Sequence, residues 1–330
     1  MLKCLAGFLL AALLLCQPEA AANGAREAMF HWYYTVAPSL FPFMALLPLL
    51  TCEPAAHAYE RLFGGFTRCV YRLPGASAAA LAVGMIAGSP AGALAARRAA
   101  ASSDMTRGQA QRLAMACCGM SPAFLISGVG AAMLGDPAAG HTLLRSQLVT
   151  QLFMPLLLRP FCRDNTPLPD DDLPDPTPPV TAILTVGGYM ALFGALAAAL
   201  GAIFDETAAN VCLCAMDVTA GCRVVSNINM KIVYKMMALS ALTGYGGLCV
   251  CAQNLSVLRE IVHPVHFLLS RLAAAALSAA LTALQTNHII VKWEVKPLPI
   301  AALMAVFLVI PALWHWNKHS FNNSNSTEKI

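Results

Sequence analysis

Long apolar segments dominate this sequence, and breaks containing Gly or Pro interrupt several of them. Of its 330 residues, 58% are hydrophobic and 12% are charged, whereas an ordinary soluble domain has about 25% charged residues. In lipid, a broken helix leaves backbone N–H and C=O groups unpaired unless protein or a polar cavity satisfies them. The breaks therefore predict a membrane protein that encloses a polar path.

The membrane segments can be placed by the absence of charge. About 20 helical residues cross the roughly 30 Å of hydrocarbon in a bilayer. Charge-free stretches of that length lie at 28–52, 73–96, 113–135, 180–204, 236–258 and 272–291. Shorter or charge-bearing candidates lie at 4–16, 141–161, 211–225 and 297–316. We therefore predict an all-α, polytopic protein in the lipid bilayer, with about eight to ten membrane segments.

The N-terminus has two interpretations. Lys3, the apolar stretch 4–16 and the small residues at 20–22 are typical of a cleavable signal peptide. The alternative is a retained first helix, which is common when further spans follow. We favour the retained helix and treat residues 1–27 as a first transmembrane helix with its connector.

A polar segment at 162–179 divides the chain. Its six prolines and five aspartates are typical of an extended, solvated linker. Asp171, Asp172 and Asp175 imitate the paired-carboxylate magnesium motif of prenyl-transferring enzymes, but neighbouring prolines oppose the helix that would align them. The linker separates a first gate-like repeat, 28–161, from a second, 180–290. A final transmembrane helix at 291–317 and a polar tail at 318–330 follow.

The two repeats show the same order of elements. Each begins with an apolar helix, continues with a broken segment and an interrupted helix, and ends with another helix. Arginines both precede and follow the broken segment 73–96, and the positive-inside rule places both groups in the cytoplasm. A re-entrant hairpin satisfies this rule, whereas a simple crossing breaks it once. Three spans and one hairpin per half would make the halves an inverted repeat.

The breaks in the first repeat are candidate binding segments. Pro90 removes a backbone donor, while Gly88 and Gly92 let another backbone or a ligand approach closely. Half-helix ends at such a break expose N–H groups that suit an anion. The alternative is a kinked packing face of small residues. The predicted substrate-binding residues of this repeat are Gly88, Ser89, Pro90, Gly92, Gly119, Ser121 and Pro122.

The second repeat has matching breaks and a lone carboxylate. Asp217 is the only carboxylate in an otherwise apolar stretch, and a charge at membrane depth marks an ion or substrate path. It would suit coupling to protons or sodium, or it would cap a helix at an unwound point. The two roles are compatible. The predicted substrate-binding residues of this repeat are Asp217, Thr219, Gly244, Tyr245, Gly246, Gly247 and Gln253.

Other chemistry finds little support in the sequence. Arg271, within an apolar segment, is a candidate counter-charge for an anionic substrate, although such an arginine more often lies at the interface or a helix end.

No Walker loop, nucleophile elbow or zinc-protease motif occurs. The Cys-x-Cys pairs at 212/214 and 249/251 would point to different helix faces. We therefore expect no enzyme, no catalytic residue, no metal site and no cofactor. The net charge of +4 is spread over several loops and indicates no nucleic-acid binding.

Several of these motifs together resemble a known family. Residues 32–43, Trp-Tyr-Tyr-Thr-Val-Ala-Pro-Ser-Leu-Phe-Pro-Phe, are similar to the opening helix of the YlbJ/SpoVV-type sporulation integral membrane proteins, which carry nucleoside-recognition gate domains. Four later segments are similar, in the same order, to that family's Ser-Gly-Tyr-Pro-x-Gly-Ala, Asn/Ser-Pro, Glu-x-Thr-x-Gly and Gly-Phe-Gly-Gly signatures: 88–93, 119–124, 217–221 and 244–253. The polar groups depart from the family pattern at Ser89, Cys118, Ser121 and Asp217, which bears on the substrate more than on the fold.

The resemblance covers residues 29–285 and implies a membrane permease of spore-forming bacteria. The best-known branch of the family moves dipicolinic acid, a small aromatic dicarboxylate, toward the forespore. The implied location is the bacterial cell membrane, with the outer forespore membrane as one candidate, and a homo-oligomer is compatible with the sequence. The alternative is a non-transporting membrane scaffold or regulator in spore-envelope assembly.

Overall fold

Helices form nearly all of the ordered architecture in the computed structural model, which describes residues 2–102, 105–168, 178–258 and 260–286. Three helical stretches have π-helical geometry: Trp32–Val36, Thr67–Tyr71 and Phe124–Met133. The α-helices are α1 (Leu2–Cys16), α2 (Pro18–His31), α3 (Ala37–Leu50), α4 (Glu53–Phe66), α5 (Ser77–Ala87), α6 (Ala91–Ala101), α7 (Arg107–Ala116), α8 (Pro137–Leu157), α9 (Pro179–Gly201), α10 (Glu206–Met216), α11 (Val218–Asn227), α12 (Ile232–Tyr245), α13 (Gly247–Leu258) and α14 (Pro264–Thr286). The predicted all-α fold class is confirmed.

Within the described ranges, four helical runs are long and apolar enough to cross a membrane: Pro18–Leu50, Val180–Gly201, Ile232–Leu258 and Pro264–Thr286. The prediction of about eight to ten segments counted shorter, broken elements together with full crossings. Residues 18–27, predicted as a connector, begin the first of these runs. The predicted final helix at 291–317, the tail at 318–330 and the aspartates Asp171, Asp172 and Asp175 lie outside the described residues.

The predicted broken segment at 73–96 folds as a helical hairpin. Residues eight positions apart in a continuous helix lie about 12 Å apart along its axis. Here a Cβ placed on Gly92 would lie 2.8 Å from the Cα of Gly84, so the chain reverses between α5 and α6. At the open end, the guanidinium of Arg112 donates to the carbonyl oxygen of Tyr71 at 2.9 Å. Both arginine-rich flanks therefore lie on one face of the protein, as the re-entrant interpretation predicted.

The second repeat contains a corresponding hairpin. A Cβ placed on Gly221 would lie 2.8 Å from the Cα of Cys214, so α10 and α11 pack against each other. The reversal occurs at Asp217, whose backbone is extended. The element order of the first repeat, α3, the α5–α6 hairpin, a broken helix and α8, thus recurs as α9, the α10–α11 hairpin, the broken α12–α13 helix and α14. The inverted orientation of the two halves stays a prediction.

The first long span packs antiparallel to α9 through small residues. A Cβ on Gly24 would lie 3.0 Å from the carbonyl carbon of Gly194, and a Cβ on Gly187 would lie 2.8 Å from the Trp32 ring. The Trp32 indole also donates to the carbonyl oxygen of Ile183 at 3.2 Å. Small residues let helix backbones approach closely in membranes, and this contact joins the two repeats.

A buried hydroxyl network joins the repeats a second time. Thr282 on α14 hydrogen-bonds Ser146 on α8 at 2.6 Å and Ser240 on α12 at 2.8 Å. Ser240 in turn hydrogen-bonds Ser278 at 2.7 Å. All four side chains are fully buried. Such interhelical hydrogen bonds stabilise helix association where lipid provides little hydrophobic drive.

Candidate functional site

The tip of the first hairpin packs against the break in the following helix. Gly88 has φ +68°, a conformation that side chains rarely adopt, and a Cβ there would lie 2.8 Å from the Cα of Ser121. The Ser89 N–H donates to the carbonyl oxygen of Gly119 at 2.7 Å. Glycine at 88 therefore permits both the turn and the close approach, and it places the Ser89 and Ser121 hydroxyls at one location.

The tip of the second hairpin packs against the other break in the same way. Gly246 and Gly247 have φ +89° and +76°, and a Cβ on Gly247 would lie 2.9 Å from the Val218 nitrogen and 3.2 Å from the Cα of Asp217. This arrangement interrupts the long span Ile232–Leu258 beside Asp217. The two repeats thus build the same type of contact from different residues.

These two contacts meet at one cavity, which we call the central cavity. It has a volume of about 50 Å³, which is room for a few water molecules. Five of the predicted binding residues lie in its wall: Ser89, Ser121, Asp217, Thr219 and Gln253. The rest of the wall is Val36, Ser39, Leu40, Met120, Phe124, Val186, Met190, Val218, Cys249 and Val250. The fold therefore brings together polar groups that are more than 100 residues apart in the sequence.

Four helical segments begin at this cavity. They are α6 after Pro90, the π-helical segment after Ser121, α11 after Asp217, and α13 at Gly247. The Ser121 hydroxyl accepts from the Phe124 N–H at 3.2 Å. The first N–H groups of a helix have no partner within it, and the helix start carries partial positive charge. The convergence of four such starts creates an environment that favours negative charge.

Asp217 caps a helix, which is one of its two predicted roles, and it also lines the central cavity; its role in a solute or ion path stays a prediction. Its carboxylate accepts from the Ala220 N–H at 2.8 Å, which caps α11. Its side chain is buried and lines the central cavity, where it is the one acidic residue in the wall within the part of the chain that the structure describes. A negative charge on Asp217 would repel an anion in this cavity, whereas protonation would turn the carboxyl group into a hydrogen-bond donor.

Other predicted binding residues hold the cavity wall in place or lie elsewhere. Pro90 lines a neighbouring cavity. A Cβ on Gly244 would lie 2.9 Å from the carbonyl oxygen of Ala274, so Gly244 provides close packing of α12 on α14. The remaining residues of the predicted set are outside the wall of the central cavity, namely Gly88, Gly92, Gly119, Pro122, Tyr245, Gly246 and Gly247.

Arg271 is buried but does not line the cavity. Its guanidinium donates to the carbonyl oxygens of Cys118 and Met115, the latter at 2.6 Å. These carbonyls belong to the end of α7, where a helix has unpaired acceptors. The guanidinium also lies 5.6 Å from the centre of the Phe267 ring. This geometry favours a structural role at a helix end rather than that of a substrate counter-charge.

Some residues of the site had no place in the sequence-based prediction. The buried amide of Asn254 donates to the Ser89 hydroxyl at 3.1 Å, and its position beside Gln253 in an apolar helix was the available signal. Ser39 follows Pro38 in a helix whose other wall residues, Val36 and Leu40, are apolar. Val186 and Met190 of α9 also line the cavity. As ordinary apolar residues in an apolar helix, they give no sign in the sequence that they belong to a binding site.

Sequence comparison relates the chain to an integral membrane protein. The chain is 23% identical to the sporulation integral membrane protein YlbJ of Bacillus subtilis (strain 168), over 86% of this chain and 82% of that protein. No protein-family model matches the chain, and no solved structure matches it. The match supports a membrane role in sporulation, and with the four membrane-length helices it shows an integral membrane protein. The predicted resemblance is thereby confirmed: over most of its length this chain is similar to the YlbJ-type sporulation integral membrane proteins.

Proposed function

We propose that this protein is a permease that moves a small anionic metabolite across a membrane during sporulation. The observation that carries the proposal is the central cavity, because residues of both hairpin tips and of both interrupted helices line it, among them Ser89, Asp217, Ser121 and Val250. Irregular backbone at membrane depth occurs where it lines a cavity or is buried in protein. Substrate sites of many transporters are formed in this way by discontinuous helices.

The anion would be bound mainly by helix starts and hydroxyl groups. Ser89 and Ser121 contribute hydroxyls at two of the starts, and Gln253 contributes an amide from α13. The rest of the wall is largely apolar, including the Phe124 ring and the Met120 side chain. These groups are of the kind that would recognise a planar aromatic carboxylate, although the cavity would have to widen to admit one. The similarity to a sporulation protein makes a dicarboxylate such as dipicolinic acid the first substrate to test.

Asp217 would couple transport to a cation. An anion and a charged Asp217 repel each other in the same small cavity, so the bound anion favours the protonated carboxyl group. Binding of a proton and of the anion would then be cooperative, since two ligands that favour the same state assist each other. A sodium ion beside Asp217 would relieve the same repulsion, so transport assays must compare both gradients.

The proposal requires movement of the solute and no conversion of it. We infer that the protein is not an enzyme, because under this proposal Ser89, Ser121, Asp217 and Gln253 each have a role in binding, capping or coupling. An unchanged solute recovered after uptake would support this inference. A converted product would contradict it.

The experiment compares two aspartates that both cap helices. Asp217 accepts from Ala220, and the exposed Asp136 accepts from the Ala138 N–H at 2.9 Å at the start of α8. Asparagine caps a helix about as well as aspartate, so Asp217→Asn and Asp136→Asn both keep the cap and remove the titratable charge. Each variant is reconstituted in vesicles, and uptake of labelled dipicolinate is measured under proton and sodium gradients.

We expect Asp217→Asn to abolish gradient-driven uptake with unchanged membrane insertion and abundance, and Asp136→Asn to transport normally. Unaltered uptake by Asp217→Asn would remove Asp217 from the mechanism. Absence of flux of any dicarboxylate or nucleoside in the wild-type protein, together with a stable co-purifying partner, would instead favour the scaffold function.

A further inference from the structure

Two further cavities adjoin the central cavity, one on each side. The first, which we call the Arg223 cavity, has a volume of about 230 Å³ and shares Asp217 and Met190 with the central cavity. The second, which we call the Arg97 cavity, has a volume of about 70 Å³ and shares Val186 and Gln253 with it. The central cavity is therefore separated from each neighbour by one polar and one apolar side chain.

The three cavities follow α9 from one end to the other. Ala182 and Thr185 line the Arg97 cavity, Val186 and Met190 line the central cavity, and Gly201 lines the Arg223 cavity. At 1.5 Å per residue, the stretch from Ala182 to Gly201 measures about 28 Å, which is close to the roughly 30 Å hydrocarbon thickness of a bilayer. The series of cavities thus extends over a full membrane crossing.

The two outer cavities differ from the central one in having basic side chains in their walls. Arg97 lines the Arg97 cavity, donates to the carbonyl oxygen of Val257 at 3.1 Å and forms an ion pair with Glu260 at 3.5 Å. Arg223 lines the Arg223 cavity, together with His31, whose ring nitrogen lies 3.3 Å from the Arg223 guanidinium. Glu27 also lines this cavity, but 71% of its side chain is exposed. Each outer cavity therefore has a guanidinium group, whereas among the described residues no basic side chain lines the central cavity.

Basic residues indicate the orientation of the series. The face with the Arg97 cavity also carries the arginine-rich flanks of the first hairpin, including Arg98, whose guanidinium hydrogen-bonds Thr51 at the end of the first long span. The first residues of the linker pack there too, since the Arg107 N–H donates to the carbonyl oxygen of Thr166 at 2.8 Å. By the positive-inside rule this face is cytoplasmic.

We propose that these three cavities form a single solute path along α9. The Arg97 cavity is its cytoplasmic vestibule, the Arg223 cavity is an anion-binding vestibule on the opposite face, and the central cavity lies between two constrictions. Val186 with Gln253 forms the cytoplasmic constriction, and Met190 with Asp217 forms the other. The inference rests on the proposed permease function, to which it adds the route, the gates and a second anion-binding group in Arg223.

Side-specific thiol labelling tests the path without any knowledge of the substrate. Thr185→Cys probes the Arg97 cavity, which Thr185 lines, and Leu184→Cys is its control: both side chains are exposed, but Leu184, 58% exposed, lines none of the three cavities. Ala209→Cys probes the Arg223 cavity, and Val211→Cys is its control, with a side chain 64% exposed on α10. The full-length variants are placed in vesicles of both orientations, which an epitope tag at Ser103 identifies.

A membrane-impermeant sulfonate thiol reagent is added from one face, and peptide mass spectrometry reads labelling at the introduced cysteine alone. We expect Thr185→Cys to be labelled only from the cytoplasmic face and Ala209→Cys only from the opposite face. The control cysteines at positions 184 and 211 should be labelled from neither face. Labelling of both probes from the same face, or no labelling above the controls, would overturn the path.

The outcome separates the path from the substrate. If the labelling pattern holds but the wild-type protein shows no dicarboxylate flux, the path stands and the anion assignment fails. If flux is present but labelling does not follow the predicted sides, the permease function stands and this route is wrong.

Discussion

Gly88 offers the sharpest test of how the hairpin tip and the neighbouring break are joined. Its backbone has φ +68° and ψ −162°, a region that is essentially restricted to glycine and costs other residues about 1–3 kcal/mol. A Cβ would also lie 2.8 Å from both the Met120 carbonyl carbon and the Ser121 Cα. These are backbone atoms that cannot rotate away, and overpacking of this kind costs about 1–3 kcal/mol.

We therefore expect Gly88→Ala to lower the free energy of unfolding by about 2–6 kcal/mol in total. Gly135→Ala is the matched control, because Gly135 has φ +67° but open space around its Cβ position. It should lose only the backbone part, about 1–3 kcal/mol. The difference between the two variants isolates the contact between the hairpin tip and the break.

Thermal unfolding of the purified variants in detergent provides the stability comparison, and reconstituted flux reports on the cavity. If Gly88→Ala fails to accumulate in the membrane while Gly135→Ala accumulates normally, this result would also show that Gly88→Ala is the more destabilising of the two variants. Equal losses of stability in the two variants would refute the reasoning, since the packed contact would then contribute nothing.

Three further predictions concern the structure around the site. Arg271→Met should lower stability by about 2–5 kcal/mol, since two buried carbonyl groups lose a charged donor; unchanged thermal unfolding would contradict the helix-end role. Thr282→Val removes two interhelical hydrogen bonds worth about 0.6 kcal/mol each on average, whereas Thr185→Val removes only a bond within α9 and should be milder in the same assay. In the exposed first residues of the linker, hydrogen bonds from Thr166 lower the pKa of Asp164. Their stabilising effect is present at neutral pH and should be lost as the pH falls through that lowered pKa, which amide hydrogen exchange at Thr166 can follow; exchange independent of pH after correction for the intrinsic rate would contradict it.

Much of the architecture could be predicted because membrane helices follow simple physical rules. Length and the absence of charge identified the long spans, as at 180–204 and 236–258, since only a continuous helix satisfies its own backbone in lipid. The arginines around 73–96 correctly predicted a reversal rather than a crossing. Asp217 was conspicuous because an isolated carboxylate is rare in apolar surroundings.

The predicted role of Arg271 shows where local pattern was insufficient. From the sequence, Arg271 was a candidate counter-charge for a substrate, although an arginine in an apolar helix more often lies at the interface or a helix end. The structure places its guanidinium against the end of α7, a segment more than 150 residues earlier in the chain. Such a contact depends on how two helices are rotated against each other, which no local pattern reports.

The sequence by itself determined that this chain lies in a membrane, where its helices break, and which polar residues stand at the breaks, because backbone satisfaction and charge burial act on each segment separately. Only the tertiary structure decided that Ser89, Ser121 and Asp217 meet at one cavity. It also decided that Met190 and Val186 of α9 separate this cavity from two others. The physical reason is that cavities arise from the packing and rotation of several helices, to which ordinary apolar side chains contribute as much as the polar residues that mark the breaks.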